Sequence, residues 1–400
     1  MRPPPRALAG SVVSVGLTWT ATSSAYLLGL TLLAALPGGN RRSAPPQGRP
    51  LLIVVLVPAH DESDGIAAAV TALRGQDYPA DAFEVIVIAD NCSDATAERA
   101  RAAGATVWER EAAGDRGKGQ ALAWAIERLW RERPATDAVT VVDADCLASP
   151  GLLAAFDEAM RTGASAVQAV YDVANPTASA ASALRWAGFA LMHRVRPRGR
   201  ARIGLSCDLF GTGMAFRSSL LRKHPWSSFS VTEDAEYHLR LVAAGEKVSF
   251  VPGERVESPM PTTHAASAAQ QLRWESGNAQ LLRRTVPRLA VDGVRRRDPQ
   301  RLHAAIEQLV PPQTALAAAN ALLLALAAAL RRRRAWRVGL GAMAAQSAYV
   351  LVGLRVAQAP RIVYRSLLCA PGLVASKLSV FARIGAGRGA TDWIRTERGS

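Results

Sequence analysis

Between residues 51 and 142 the chain alternates short apolar runs with longer segments whose apolar positions recur at helical spacing. Short runs rich in β-branched residues and bounded by turn formers are typical of strands, and the periodic segments are typical of amphipathic helices. The predicted strands are Leu51–Val57, Glu84–Ala89, Ala105–Trp108 and Ala138–Val142, and the predicted helices are Gly65–Leu73, Ala95–Ala103 and Gln120–Arg131. Strands that alternate with helices predict an α/β fold with a mostly parallel sheet.

Three long apolar segments flank this region. Ala7–Asn40, Gln308–Leu330 and Val338–Leu354 carry no charged residue. Each reaches the length of roughly 17 to 25 residues that a membrane helix needs. The first is too long for the apolar core of an ordinary signal peptide and lacks a convincing cleavage site. We therefore expect membrane helices, with a buried Ala- and Leu-rich hairpin as the alternative for the last two segments.

The two C-terminal segments pose a topological conflict. Arg331–Arg334 lies between them. If the central region is cytosolic, a hairpin of two spans places these arginines outside, against the tendency of basic loops to stay in the cytoplasm. The sequence leaves open whether one segment does not span, whether the pair lies in the interface, or whether the tendency fails.

The chain thus divides into four predicted parts. A polar stretch rich in proline and glycine, typical of a linker, separates the first apolar segment from the central region. The parts are an N-terminal membrane segment at 1–40, a linker at 41–50, a catalytic domain at 51–290 and a membrane-associated region at 291–400 with apolar segments at about 308–330 and 338–354.

Charge narrows the possible partners. The formal net charge is +15, and arginines cluster at 194–202, 283–301 and 331–334. Basic clusters beside an apolar segment attract anionic lipid head groups. The chain has neither zinc-finger spacing nor a basic and aromatic RNA motif, so we expect a membrane surface and no nucleic acid. Its four cysteines form no C-x-x-C pair, which is typical of reduced thiols in a cytosol-facing protein.

Polar residues follow three predicted strands where each strand ends. These corners read P-A-H-D-E at 58–62, D-N-C-S-D at 90–94 and D-A-D at 143–145. The carboxyl ends of parallel strands meet at one edge of a sheet, so these side chains should lie together. Turn and capping preferences explain any single corner. Three acidic corners together need a cation or a donor-rich ligand to offset their repulsion.

Asp143 and Asp145 are the strongest candidates for a metal site. Two carboxylates that follow a strand two residues apart can reach one ligand from an irregular turn. Their hard oxygens suit Mg²⁺ or Mn²⁺, which bridge to diphosphate oxygens. Such an ion neutralises the charge that builds on a diphosphate leaving group.

Seven short motifs follow one another between residues 51 and 290: P-A-H-D-E, A-D-N-C-S-D, R-G-K-G, D-A-D, G-T-G-M-A-F, T-E-D and Q-x-x-R-W. Their order resembles glycosyltransferases of family 2, in the membrane-bound branch that includes cellulose synthases, hyaluronan synthases and ceramide glucosyltransferases. A lone D-x-D is weak evidence, whereas the whole series is specific. The resemblance implies a GT-A fold, which is Rossmann-like with a mostly parallel sheet, and flanking membrane helices.

The resemblance also implies how the donor is held. Glu62 would contact the nucleoside, Asp90 would hold the base and ribose, and Lys118 would approach the nucleotide. The full donor-binding set is Pro58, His60, Glu62, Asp90, Lys118, Asp143 and Arg273, with the role of His60 open. Asp145 and Asp143 would ligate the metal. A solvated loop position for Lys118 and a helix cap for Asp94 are the alternatives.

The resemblance places the acceptor near the later motifs. Asp234, at the start of a helix predicted to run to Ala244, would be the catalytic base. The implied acceptor-binding residues are Gly213, Glu233, Gln270 and Trp274. The spacing of Q-x-x-R-W puts its residues on one side of a helix, where Arg273 can grip phosphate with two hydrogen bonds and Trp274 can stack on a sugar.

Each of these later motifs also has a structural explanation. Gly213 fits a packing turn, Glu233 fits the positive end of a helix dipole, and Trp274 fits a core position with a snorkelling Arg273. Trp186 and His193 lie on a further amphipathic stretch, which we interpret as a membrane-interface helix near the acceptor entrance.

The predicted function is an inverting, metal-dependent transfer of a hexose or N-acetylhexosamine from a nucleoside diphosphate sugar to a hydroxyl acceptor. We expect a UDP-sugar donor, with a GDP-sugar as the alternative, at the inner membrane with the catalytic domain in the cytosol. The apolar segments are too few for a polymer channel in a monomer, which favours a lipid or lipid-linked acceptor over a polysaccharide. The rival interpretations are a metal-dependent nucleotidyltransferase and a catalytically silent carbohydrate-binding membrane protein.

Overall fold

A computed structural model describes residues 5–37, 48–112, 114–260, 276–370 and 372, and its centre is an eight-stranded sheet. The strands are β1 (Ile53–Ala59), β2 (Phe83–Asp90), β3 (Thr106–Arg110), β4 (Ala138–Val141), β5 (Leu147–Ala148), β6 (Ala166–Val173), β7 (Met214–Arg217) and β8 (Val248–Ser258). They lie in the order β3-β2-β1-β4-β7-β6-β8-β5. The predicted GT-A-like α/β architecture is confirmed.

The sheet is mixed in direction. The predicted parallel arrangement holds in β3-β2-β1-β4, where all three pairings are parallel. Strand β7 then pairs antiparallel with both β4 and β6, while β6 and β8 are parallel and β5 is antiparallel to β8. The sheet is therefore less uniformly parallel than the alternation of strands and helices predicts, because β7 enters between β4 and β6 in the opposite direction and β5 also pairs antiparallel.

Some of the helices cover the two faces of the sheet and others pack beside it. They are α1 (Pro5–Ala35), α2 (Ile66–Arg74), α3 (Thr96–Ala102), α4 (Lys118–Glu132), α5 (Leu152–Arg161), α6 (Ala180–Ala190), α7 (Arg196–Arg202), α8 (Ser218–Lys223), α9 (Glu233–Ala243), α10 (Val286–Arg296), α11 (Pro299–Leu309), α12 (Gln313–Ala329), α13 (Arg333–Val356) and α14 (Arg361–Ser366). A π-helical turn, Leu191–Val195, joins α6 to α7.

Strand β1 shows how the sequence builds these layers. Val55 and Val57 pack into one core with α2 and α5, whereas Val54 and Leu56 pack into the opposite core with α4 and α9. Successive side chains of a strand point to opposite faces. A strand that is apolar at every position therefore needs helices on both sides, as the sequence of β1 predicts.

The flanking helices α1, α12 and α13 pack against one another beside this domain. Gly339 allows a close approach, since a Cβ atom there would lie 2.8 Å from a side-chain carbon of Leu324. Polar groups also meet inside the bundle, where the Asn320 Nδ2 donates to the Gln346 Oε1 at 2.7 Å. Both residues are at most 8 % exposed, so the helices are held by specific contacts as well as by apolar packing.

One described helix, α13, is long and apolar enough to cross a membrane. Helices α11 and α12 meet the same test as a pair, although they are bent by 66° at the break between them. Within the described residues α1 is not among the helices that meet it, since threonine and serine residues lower its hydropathy. The three predicted spans, and the domain limits drawn around them, stay predictions.

Trp186 and His193 correct one sequence interpretation. Trp186 is 6 % exposed and His193 is 8 % exposed. His193 stacks on Tyr171, with ring centroids 5.5 Å apart, and its ring contacts Phe210. Both side chains pack inside the protein, so they do not present an amphipathic face to a membrane surface. Trp186 belongs to a buried apolar cluster with residues of α1, α6, α13 and α14.

Candidate active site

The segment that follows β1 makes hydrogen bonds to the end of β2 and to the start of α3. The Nδ1 of His60 lies 2.7 Å from the backbone oxygen of Asp90, and the backbone N–H of Glu62 donates to the Thr96 hydroxyl at 2.8 Å. Pro58, the penultimate residue of β1, is half-buried beside this corner. The structure thus brings four predicted donor-binding residues to one edge of the sheet. Their contacts with a nucleotide stay predictions.

Asp94 acts as a local cap. Its Oδ1 accepts the backbone N–H of Thr96 at 2.9 Å, at the start of α3, and its Oδ2 accepts the N–H of Ser63 at 3.1 Å. The N-cap residue of α3 is Ala95, which makes no side-chain capping hydrogen bond, so Asp94 accepts the first N–H of the helix from one residue before the N-cap position.

Arg110 is a site residue that the sequence analysis missed. Its guanidinium donates to the Asp90 Oδ1 at 2.7 Å and to the Asp115 Oδ2 at 2.6 Å, and its side chain is 6 % exposed. Asp90 and Arg110 are register partners at the ends of the parallel strands β2 and β3. The available signal was a basic residue at the end of the third strand. The predicted strand ended at Trp108, two residues before Arg110, and so did not include it. Arg110 orients the Asp90 carboxylate and balances its charge.

Asp143 and Asp145 follow β4 at the same edge. One carboxylate oxygen of each aspartate and the Sγ of Cys146 lie within 4.8 Å of one another. Cys146 is fully buried, and burial raises the pKa of its thiol well above the usual range. A protonated thiol is a poor ligand, so the usable donors are carboxylate oxygens, the set that Mg²⁺ and Mn²⁺ prefer. The residues present therefore fit the predicted metal.

Lys118 lies between the acidic corner after β4 and a second acidic corner, formed by Glu233 and Asp234. Its Nζ lies 2.6 Å from the Asp143 Oδ1 and 3.6 Å from the Glu233 Oε1, and it donates to the backbone oxygen of Gly211 at 2.8 Å. Burial opposes the charge of Lys118, but the neighbouring carboxylates outweigh it and raise its pKa. The side chain is therefore a fixed cation in the site rather than a solvated loop lysine.

Glu233 and Asp234 open helix α9 beside this lysine. Acidic residues in a first helical turn are stabilised by the helix dipole, yet burial still dominates here. Burial raises the pKa of Glu233 to about 7 against the opposing charge of Lys118, and it also raises the pKa of Asp234. A carboxylate with a raised pKa is a better proton acceptor near neutral pH than an ordinary one.

Gly211 and Gly213 take left-handed backbone conformations, with φ of 80° and 62°. A Cβ atom on Gly211 would lie 3.2 Å from the Lys118 Nζ and 3.3 Å from the Asp234 Oδ2, so the glycine lets both side chains approach the backbone. A Cβ on Gly213 would instead meet Val256 at 2.8 Å. Gly213 therefore serves a packing turn, and its predicted acceptor contact stays a prediction.

Gln270, Arg273 and Trp274 lie outside the described residues. Their predicted contacts with phosphate and sugar are neither supported nor opposed by the structure.

Removal of the Lys118 charge should shift the pH dependence of activity. Lys118→Gln should move the acid limb of the kcat profile to higher pH, because the lysine lowers the pKa of both Glu233 and Asp234. A general base works only when deprotonated, so a higher pKa delays activity as pH rises. The measurement is kcat between pH 5 and pH 9.

Lys223→Gln is the matched control. This exposed lysine pairs with Glu246 at 2.8 Å, outside the site. Its variant should keep the parental profile. An unshifted acid limb in Lys118→Gln would show that neither carboxyl governs that limb.

Comparisons with known proteins identify the family and the fold. The family model described as glycosyltransferase-like family 2 matches residues 50–277. No curated protein matches the sequence significantly. A mannosyltransferase from Pyrobaculum calidifontis, solved in complex with GDP-Man and Mn²⁺, is similar in fold, with a TM-score of 0.56, 20 % identity, and coverage of 86 % of this chain and 96 % of that chain.

A second solved structure is more distant. It is glucosyl-3-phosphoglycerate synthase from Mycobacterium tuberculosis in complex with Mn²⁺, UDP and phosphoglyceric acid. Its TM-score is 0.40 at 20 % identity, with coverage of 58 % of this chain and 78 % of that chain.

Proposed function

The chain belongs to the glycosyltransferase-like family 2, and from that premise we propose that it transfers a sugar from a nucleoside diphosphate sugar to a hydroxyl acceptor with inversion. The observation that carries this proposal is the meeting of two acidic corners at one lysine. Asp143 lies 2.6 Å from the Lys118 Nζ, and Glu233, adjacent to Asp234, lies 3.6 Å from it. The corner with Asp143 and Asp145 suits the metal and diphosphate of the donor. The corner with Glu233 and Asp234 suits the hydroxyl group of the acceptor.

The donor end of the site combines orientation with charge. Asp90, held by Arg110, is a fixed acceptor for nucleoside hydroxyl or base N–H groups, and His60 and Glu62 lie in the adjoining corner. Asp143 and Asp145 would hold Mg²⁺ or Mn²⁺, which would supply charge neutralisation for the departing diphosphate. Lys118, which lies 2.6 Å from Asp143, would add a fixed positive charge for the same leaving group.

The acceptor end provides the proton acceptor. In a single displacement the acceptor oxygen bonds to the anomeric carbon, the bond from that carbon to the diphosphate breaks, and Asp234 takes the hydroxyl proton. The electron pair of the broken bond leaves with the diphosphate. The raised pKa of Asp234 suits this proton transfer near neutral pH.

The acceptor is proposed to be lipid or lipid-linked, at the inner membrane, as in the membrane-bound branch of the family. The support is the apolar bundle beside the domain, in which α13 meets the length and hydropathy test for a span and the bent pair of α11 and α12 meets it together, within the part of the chain that the structure describes. Burial of Asn320 and Gln346 inside that bundle fits helices that associate through polar contacts as well as shape.

A donor screen tests the proposed function. The detergent-purified protein is incubated with Mn²⁺, a membrane lipid extract and single nucleotide sugars, UDP- and GDP-linked, the latter including GDP-Man because of the fold likeness reported above. Release of free UDP or GDP with a labelled glycolipid product supports transfer. Release of pyrophosphate would identify a nucleotidyltransferase, and no product with any donor would indicate a silent binding protein.

Membrane attachment is a separate prediction. The apolar bundle should keep the protein in the pellet when membranes are washed with alkaline carbonate, which removes proteins held by charge alone. The measurement is the share of protein in the pellet and in the supernatant. Recovery in the soluble fraction without detergent would contradict an integral attachment, while release by carbonate would indicate binding through the arginine clusters only.

A further inference from the structure

A buried polar cluster connects the flanking helices to the catalytic edge. It comprises Tyr26, Arg196, Arg200, Asp208, His238, His303 and Glu307, contributed by α1, α7, the segment before β7, α9 and α11. We call this set the interhelix cluster. None of its members has a part in the proposed reaction.

The outer end of the interhelix cluster joins α1 to α11. The Tyr26 hydroxyl donates to the Glu307 Oε2 at 2.5 Å and lies 2.6 Å from the His303 Nε2. Glu307 is 7 % exposed, and its other oxygen accepts the Arg196 guanidinium at 3.2 Å. A single carboxylate thus ties three helices together.

The middle of the cluster is Arg200, which is 1 % exposed. Its Nη2 donates to the Asp208 Oδ2 at 2.7 Å and lies 4.0 Å from the Glu307 Oε1. Asp208 is three residues before Gly211, whose backbone oxygen binds Lys118. The segment that positions the catalytic lysine is therefore anchored on α7 and α11.

The inner end of the cluster is His238 of α9, which is also 1 % exposed. Its Nε2 lies 3.2 Å from the Ser206 hydroxyl, and its Nδ1 lies 3.4 Å from the Asp208 Oδ1. Burial lowers the pKa of His238 to about 4 in spite of Asp208, so the imidazole is neutral. Residues four apart share a helix face, so His238 lies on the same face of α9 as Asp234, one turn toward the C-terminus.

Stability alone is a weak explanation for this arrangement. Two arginines and two carboxylates are balanced in charge, but taking them out of water costs about as much as their attraction returns, and apolar packing would serve as well. Among the described residues the Arg200 Nε, the Asp208 Oδ1 and the His238 Nδ1 also have no hydrogen-bond partner, so the 3.4 Å contact between His238 and Asp208 is not a hydrogen bond. A buried network of this kind is better suited to fixing one relative position of its helices.

We propose that the interhelix cluster sets the position of the catalytic elements relative to the flanking helices, with Tyr26 and His238 as positioning residues for the transfer. The inference rests on the proposed function for its effect on catalysis. The connection between α1 and α9 rests on the contacts alone.

Amide hydrogen exchange tests the connection without any substrate. Tyr26→Phe removes only the hydroxyl on α1. It should speed exchange in residues 206–213 and 233–243 by roughly threefold or more, since local opening reports the stability of each unit. Tyr78→Phe is the matched control, because it removes a hydroxyl that donates to the Leu51 backbone oxygen at 2.9 Å, outside the cluster. Unchanged exchange in both segments would overturn the proposal.

Kinetics test the positioning role. Tyr26→Phe and His238→Gln should each lower kcat by about 5- to 20-fold with donor KM nearly unchanged, and the double variant should be little worse than the poorer single one, as for residues of one network. Multiplying effects, or a rise in donor KM instead, would overturn the positioning role. If the parent protein transfers no sugar but the exchange result holds, the proposed function fails while the connection stands.

Discussion

Asp234→Asn is expected to lower kcat by about 10²- to 10⁴-fold, the usual contribution of a positioned general base. A sugar or lipid hydroxyl is a poor nucleophile near neutral pH, and asparagine keeps the size of the side chain without accepting the proton. Because Asp234 is not one of the proposed metal ligands, affinity for the donor and metal should be nearly intact. The measurement is turnover together with nucleotide-sugar affinity of the same preparation.

Glu233→Gln is the matched variant for this prediction. Glu233 is the adjacent carboxylate, it is 3.6 Å from the Lys118 Nζ, and burial raises its pKa as well. It should lose far less turnover than Asp234→Asn if Asp234 is the base. Near-normal turnover in Asp234→Asn with a large loss in Glu233→Gln would move the base to Glu233.

Asp145→Asn is expected to lower activity by at least about 100-fold, and removal of divalent cations with EDTA should abolish turnover. The reason is that a diphosphate leaves only when its charge is neutralised, which is worth several kcal/mol in the transition state. Unlike Asp234→Asn, this variant should also weaken donor binding, because the ion would bridge protein and diphosphate. Donor affinity and turnover are measured with and without added Mn²⁺, for this variant and for Asp143→Asn.

Asp64→Asn is the control for the loss of a carboxylate near the same edge. The Asp64 side chain is 91 % exposed, and it pairs only loosely with Arg99, at 3.7 Å. Exposed pairs of this kind contribute little, so activity and its dependence on Mn²⁺ should stay at the parental level. Full activity of the parent in EDTA would show that Asp143 and Asp145 do not form a metal site.

These two expectations separate the acidic corners that Lys118 joins. Removing Asp145 should impair donor binding and turnover together, while removing Asp234 should impair turnover alone. Lys118 couples the two corners, because it contacts Asp143 directly and lowers the pKa of Asp234. A substitution in one corner can therefore change the electrostatics of the other. A double variant of Asp145 and Asp234 should therefore be compared with both single variants before their effects are treated as independent.

Local sequence was sufficient for the layered fold. The apolar run of β1 contributes side chains to both cores, and the predicted bounds of the first four strands agree with the structure to within two residues. Strand and helix periods are local properties of the chain, so they can be recognised without tertiary information. The entry of β7 between β4 and β6 is a long-range pairing, and the local pattern did not predict its direction.

The sequence by itself determined which residue types follow the strands and open the helices, and so it identified the acidic groups at Asp90 and Asp143, which lie at strand ends, and at Asp234, which lies at the start of α9. Only the tertiary structure decided their electrostatic state. Arg110 reaches Asp90 from a neighbouring strand, and Lys118 reaches Asp143 from the start of α4. Burial then raises the pKa of Asp234. Charge interactions and desolvation depend on distances between residues far apart in the chain, which periodicity and motif spacing do not encode.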